Sequence, residues 1–228
     1  MPRDDGSTRP EARAQDGTAL VAALTTVTLL AALGGGLLLV VMAEVRIAAL
    51  HREGLQALYA ADGMVEFVIA ELAGQEVTAA LTGASASGFM DGPAGERQVG
   101  NRTIHLDELT QIERCGQPRA CDVGAIRGTD APWWQLYAYG TLDRLLGVEG
   151  PPIYLVAWVA DDPSENDGDS LRDGLPGVNP GHGIVAIRVH AYGVAAHRRL
   201  EVLVGGLPDR PRLVSWLEPD PESLIPNP

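Results

Sequence analysis

Six carboxylates, Asp161, Asp162, Glu165, Asp167, Asp169 and Asp173, fall within thirteen residues of the segment ADDPSENDGDSLRDG. Like charges at this density repel unless water or a cation lies between them. An oxygen-rich, flexible loop is also the ligand set that calcium takes, with roughly six to eight oxygens. The spacing is not that of an EF-hand, because counting back from either glycine puts Pro163 or Asp169 at the first position without the required carboxylates after it. Bound calcium and a solvated acidic loop are the two readings the segment supports, and an ion there would brace the excursion between its flanking strands.

Cys115 and Cys121 are the only cysteines, in CGQPRAC. If the domain lies outside the cytoplasm they are expected to form a disulfide pinning a small loop, the alternative being two free thiols. A metal held by the pair would lack its third and fourth ligands, since His105 is the one histidine close in sequence. The histidines at 51, 105, 182, 190 and 197 show no close metal spacing and read as surface or strand residues. Ser164, Ser170 and Ser215 lack a nucleophile-elbow context, and no glycine-rich phosphate loop is present. Trp133, Trp134, Tyr137 and Tyr139 could line a sugar or partner surface, or be core residues of a strand. No catalytic residue is assigned, and the expected role is not enzymatic.

The elements that position these residues begin with a membrane span. Gly17 to Ala43 is 27 residues without a charge, and a hydrocarbon layer about 30 Å thick needs only about 20 apolar helical residues. The run is too long for the apolar core of a secretory signal peptide. Residues 1–17 ahead of it are polar and mixed in charge, and are expected to be disordered in the cytoplasm. Arg3, Arg9 and Arg13 on one side and Arg46 and Arg52 on the other leave orientation unsettled by basic flanks. The net charge is −13 and lysine is absent, which argues against nucleic acid as a partner.

Past the span, Val45, Ala48, Ala49, Leu55, Leu58, Tyr59, Met64, Val65, Val68, Ile69 and Leu72 recur at three- and four-residue spacing. One helix from about Thr18 to Leu72 is predicted, apolar over 18–43 and amphipathic over 44–73. Gly34-Gly35-Gly36 within it either marks a point that melts once packed in protein, or lets another helix approach closely. Residues 74–100 read as linker or loop, NRTIHLDELTQIE is ambiguous between strand and helix, Trp133–Tyr139 reads as a strand, and Thr141 caps a single helical turn. The last third holds four apolar runs, 153–160, 183–193, 198–206 and 212–218, joined by turns short enough for antiparallel neighbours. Such a sheet must cover one face, and the amphipathic half of the helix is the element long enough to do so. The fold class is α+β, with residues 74–228 as the head.

DGTALVAALTTVTLLAALGGGLLL followed by AALHREGLQALYAADGMVEFVIAEL resembles the amino-terminal region of PilX-like minor pilins, within the type IV pilins and pseudopilins, over roughly residues 15 to 73. WWQLYAYG, VAWVADDPSENDGDSLRDG and NPGHGIVAIRVHAYG are similar to the heads of such proteins. The resemblance implies a type IV pilin-like fold and a leader removed by prepilin peptidase after Gly17, leaving a methylated Thr18. It also implies extraction from the inner membrane into a filament of pilin or pseudopilin subunits by the pilus assembly machinery. The leader would be cytoplasmic, and the head periplasmic and then on a filament or at the cell surface. Most pilins carry a glutamate as the fifth mature residue, to neutralise a neighbour's terminal amine, and here that position is Ala22. Related pseudopilins without it sit at the filament tip, so the resemblance implies a tip position. The alternatives are a tip adhesin or sensing module, and a membrane-tethered periplasmic domain unrelated to pili.

Overall fold

The computed structural model describes residues 11–119, 132–161 and 184–219, with side chains from Thr18 onward. Two compact units divide it, Met1–Ala49 and Leu50–Pro228. Helix α1 runs Glu11–Ala73. The expected start at Thr18, after a disordered leader, is corrected by seven residues. Glu11, Ala12, Arg13, Ala14 and Gln15 are strong helix formers, and extending an existing helix avoids the cost of nucleation. The helix passes through Gly34, Gly35 and Gly36 unbroken.

In the first unit the described side chains are exposed, including Leu24, Leu30, Leu33 and Leu37. The segment from Thr18 is long and apolar enough to cross a membrane. In the second unit α1 is two-faced. Ala57, Ala60, Ala61, Met64, Val65, Val68 and Leu72 are buried in one stripe at the spacing of a single helical face.

The stripe lies on a five-stranded antiparallel sheet of β3 (Gln135–Thr141), β4 (Tyr154–Asp161), β5 (Ile184–Tyr192), β6 (His197–Gly205) and β7 (Arg212–Leu217), in that order. Leu155, Ala157 and Val159 of β4 pack with Val185, Ile187, Val189 and Ala191 of β5 and with Leu200, Val202 and Val204 of β6 in the same core as the helix. A register shift between Leu136 and Ala138 leaves Tyr137 as an extra residue, and such a bulge re-aims a side chain. Its ring joins the α1 core, and its hydroxyl meets the Gln75 amide. Gly140 is pressed under Phe89, whose ring would lie 2.9 Å from an added Cβ.

The opposite face of the sheet is covered as well. A hairpin of β1 (Glu96–Val99) and β2 (Arg102–His105) and helix α3 (Leu106–Cys115) carry Val99, Ile104 and Leu106 onto Trp134, Tyr139, Tyr154, Val156 and Trp158. The single covered face expected from the sequence is therefore corrected to two. This explains why all eight residues of β4 are buried, an apolar run over Tyr154–Ala160 that ends in Asp161 rather than an alternation. NRTIHLDELTQIE resolves into strand then helix, and the expected loop over 74–100 contains α2 (Val77–Leu81) and β1. Asp107 and Glu108 sit in the first turn of α3 and Arg114 in its last, where they oppose the helix dipole, and Gly116 closes it at φ 69°. Helix α4 (Leu142–Leu146) follows Thr141. Among the described residues β7 is an outer strand, with all six residues exposed.

Truncating the α1 stripe tests the arrangement. Leu72→Ala should lower the unfolding free energy of the head by about 2–5 kcal/mol, read from the denaturant midpoint in detergent, because Leu72 is fully buried. Leu30→Ala, in the exposed segment, should change it by less than about 0.5 kcal/mol.

Candidate functional site

Two regions combine unusual chemistry with defined geometry: the apolar part of α1, and a charged cluster under α3. In the first, Thr18, Thr25, Thr26 and Thr28 carry the polar side-chain groups of a stretch otherwise apolar. Thr25 Oγ1 donates to the carbonyls of Val21 and Ala22 at 3.0 and 2.9 Å, and Thr26 Oγ1 to Ala22 at 2.8 Å. Thr28 Oγ1 donates to Leu24 and Thr25 at 2.8 and 2.9 Å. The hydroxyls of Thr25, Thr26 and Thr28 are satisfied by their own helix, as a lipid environment requires. Gly17 lies in the helical backbone, and Thr18 and Ala22 are exposed on it. An added Cβ at Gly34, Gly35 or Gly36 would meet nothing within 4 Å.

The second region is built where β5 and β6 turn Arg188, His190, Arg199 and Glu201 toward α3, which lowers Glu113 onto them. Arg188 bonds Glu113 Oε2 through Nη1 and Glu201 Oε2 through Nε, the latter at 2.9 Å. Arg199 Nη2 lies 3.5 Å from Glu113 Oε2. The Arg188 guanidinium also rests 3.9 Å over the Trp134 ring, a cation–π contact in a dry setting. Two carboxylates and two guanidiniums balance, which is the condition for burying such a network.

His190 completes the cluster. Its Nδ1 lies 2.9 Å from the Tyr192 hydroxyl, and the Glu113 carboxylate oxygen Oε1, 3.3 Å from Nε2 without an aligned hydrogen bond, favours the tautomer with the proton on Nε2 and the Tyr192 hydroxyl donating to Nδ1. Its ring meets Trp158 edge-on at 4.9 Å and His197 at 5.1 Å, and His197 stacks on Tyr192 at 4.4 Å. Burial, then the charges of His197, Arg199 and Arg188, hold the His190 imidazole well below its ordinary pKa. Burial, then Arg102, Arg199 and Arg198, lower His197 to about 4. Both are therefore neutral at pH 7. Tyr192, His190 and Glu113 lie side by side and all three are buried among the described residues, with no aligned hydrogen bond from His190 to Glu113. What the arrangement does is tie α3 to the sheet, helped by the bond from Trp158 Nε1 to Thr110 Oγ1 at 2.9 Å.

The remaining sequence-selected residues are placed as follows. Cys115, the last residue of α3, is disulfide-bonded, and Cys121 lies outside the described residues. Of the acidic segment, Asp161 is buried at the end of β4. Asp162, Glu165, Asp167, Asp169 and Asp173 lie outside the described residues, as does His182. Trp134, Tyr137 and Tyr139 are buried, on two different faces of the sheet, and Trp133 sits under Arg114, 4.6 Å from its ring centroid. Sequence reasoning treated His190 and His197 singly and missed Glu113, Arg188 and Arg199. The available signal was the pair of polar residues in GIVAIRVHAYG, which a strand covered on both faces must bury.

On its outer side α1 borders an apolar groove of about 630 Å³, lined by Tyr59, Gly63 and Phe67 with Leu145, Leu146 and Pro151. Tyr59 and Leu146 are 71% and 56% exposed, so the groove is open to solvent. No family model matches the chain, and no curated protein or solved structure matches it either.

Removing the keystone carboxylate should be costly. Glu113→Gln leaves Arg188 and Arg199 short of one buried counter-charge and should destabilise the head by about 3–5 kcal/mol. Glu201→Gln, at a more exposed carboxylate, should cost about 1 kcal/mol. Denaturant melts of the two variants under identical conditions compare them directly.

Proposed function

We propose that this chain is a minor pilin or pseudopilin-like structural subunit that takes part in assembling a type IV pilus or related secretion filament. The observation that carries the reading is the double use of α1. The helix that holds the uncharged run from Gly17 to Ala43 also supplies, through Ala57 to Leu72, the stripe on which the sheet is built. A plain membrane tether has no need to serve as the spine of the domain behind it. The self-satisfied threonines suit a helix that leaves lipid for a protein bundle, and the open groove beside Tyr59 and Leu146 suits packing against neighbouring subunits.

Ala22 supports a rare position, at the filament tip. A shaft subunit must offer a counter-charge to its neighbour's amine, because an unpaired charge in an apolar bundle is heavily penalised. Alanine offers none. The head would then be periplasmic, and later on the filament, with the leader in the cytoplasm.

Mass spectrometry of the mature amino terminus tests the assignment. Cleavage after Gly17 and an α-methylated Thr18 are expected, whereas an intact Met1 in the membrane-extracted protein refutes processing. Ala22→Glu should raise the number of copies per filament at least several-fold by immunogold counting. Unchanged incorporation would remove the argument for a tip position.

A further inference from the structure

The cluster under α3 has a property that a merely structural ion-pair network lacks: it places two neutral imidazoles beside carboxylates whose charge the guanidiniums already match. From α3 it receives Glu113, and from β5 Arg188 and Tyr192. From β6 come His197, Arg199 and Glu201; Arg102 of β2 adds its charge near His197, as does Arg198 from the other face of β6, where it lies against Gly54 of α1. Glu113 and Glu201 are already matched by Arg188 and Arg199, and Arg198 is paired with Glu218 at 3.1 Å. Any proton taken up by either histidine is surplus. The rings sit 5.1 Å apart, so a second proton repels the first. Neither Nε2 has an aligned partner to lose.

The other half of the head is built differently. The core between α1 and the sheet is lined by aliphatic and aromatic side chains, and the charged groups on that side among the described residues include Arg198, whose Nε donates to the Gly54 carbonyl, Glu71, which accepts from Ser87, and Asp161, on the same side of β4 as Leu155, Ala157 and Val159. His190 and His197 both lie on the α3 side, so between pH 7 and pH 5 their protonation acts on that face.

We propose that the Glu113 cluster is an acid-released latch, which holds α3 on the sheet at neutral pH and lets it open on acidification while the α1 side stays folded. The sign follows from linkage. A histidine whose folded pKa is depressed binds protons better when exposed, so the closed state is fully favoured above the exposed value of about 6.5 and weakens as pH falls toward the folded value. For His197, held at about 4, the opening equilibrium should rise about twentyfold between pH 7 and pH 5, and His190 adds to this. At pH 5 ordinary carboxylates are still ionised, so the window isolates the imidazoles. The latch is independent of the filament reading.

Hydrogen exchange of the full-length protein in detergent micelles, corrected for intrinsic rates, provides the test. Between pH 7 and pH 5, protection of residues 106–115 should fall at least tenfold, with protection of residues 57–72 unchanged. His197→Phe keeps the ring stack on Tyr192 and should shrink the pH-dependent loss at least fivefold, as should His197→Gln. Constant protection of α3 across the window overturns the proposal. So does simultaneous loss on both faces of the sheet, or a loss in both His197 variants equal to the wild type. If the variants fail to fold, the wild-type profile alone decides.

Discussion

The head depends on one constraint: a five-stranded antiparallel sheet whose two faces are both apolar must be covered twice. Helix α1 covers one face with a stripe that begins in small residues, Ala57, Ala60 and Ala61, and widens to Met64, Val68 and Leu72. Small side chains let the helix backbone lie near the strands, where dispersion contacts are densest. The second face is closed by shorter pieces, the β1–β2 hairpin and α3, so it cannot be held by apolar area alone. Ion pairs through Glu113 and the bond from Trp158 to Thr110 supply what those pieces lack.

This division of labour explains what was legible in the sequence. The strands β4 to β7 could be placed within a residue or two because β-branched runs between Gly and Pro turns leave little ambiguity. The α1 stripe was legible from its spacing. The second layer was not, since NRTIHLDELTQIE divides between strand and helix at Leu106, within a stretch too short for either period to declare itself. The start of α1 was misplaced for a related reason: composition marks Thr18 as the edge of the apolar run, whereas helix propensity continues back to Glu11.

The charged cluster was illegible for a different reason. Glu113 lies 75 residues before Arg188 in sequence, and only the folded topology brings them together. Read locally, Arg188 and His190 look like the outward residues of a half-exposed strand. They are inward because α3 lies over them, and they are tolerated because Glu113 and Glu201 arrive with matching charge. A buried polar group in a strand that otherwise reads as core is thus a sign that a second layer exists.

The hydroxyls of Thr25, Thr26 and Thr28 return to carbonyls within one turn of their own helix. That stretch therefore brings a closed hydrogen-bond inventory to any solvent it enters. Transfer from acyl chains to a bundle of helices would break no polar contact and demand no new one, leaving shape and dispersion to decide where the helix resides. A segment of this kind is portable between two dry environments, which an asparagine or glutamine at the same positions, needing a partner from outside, would not be.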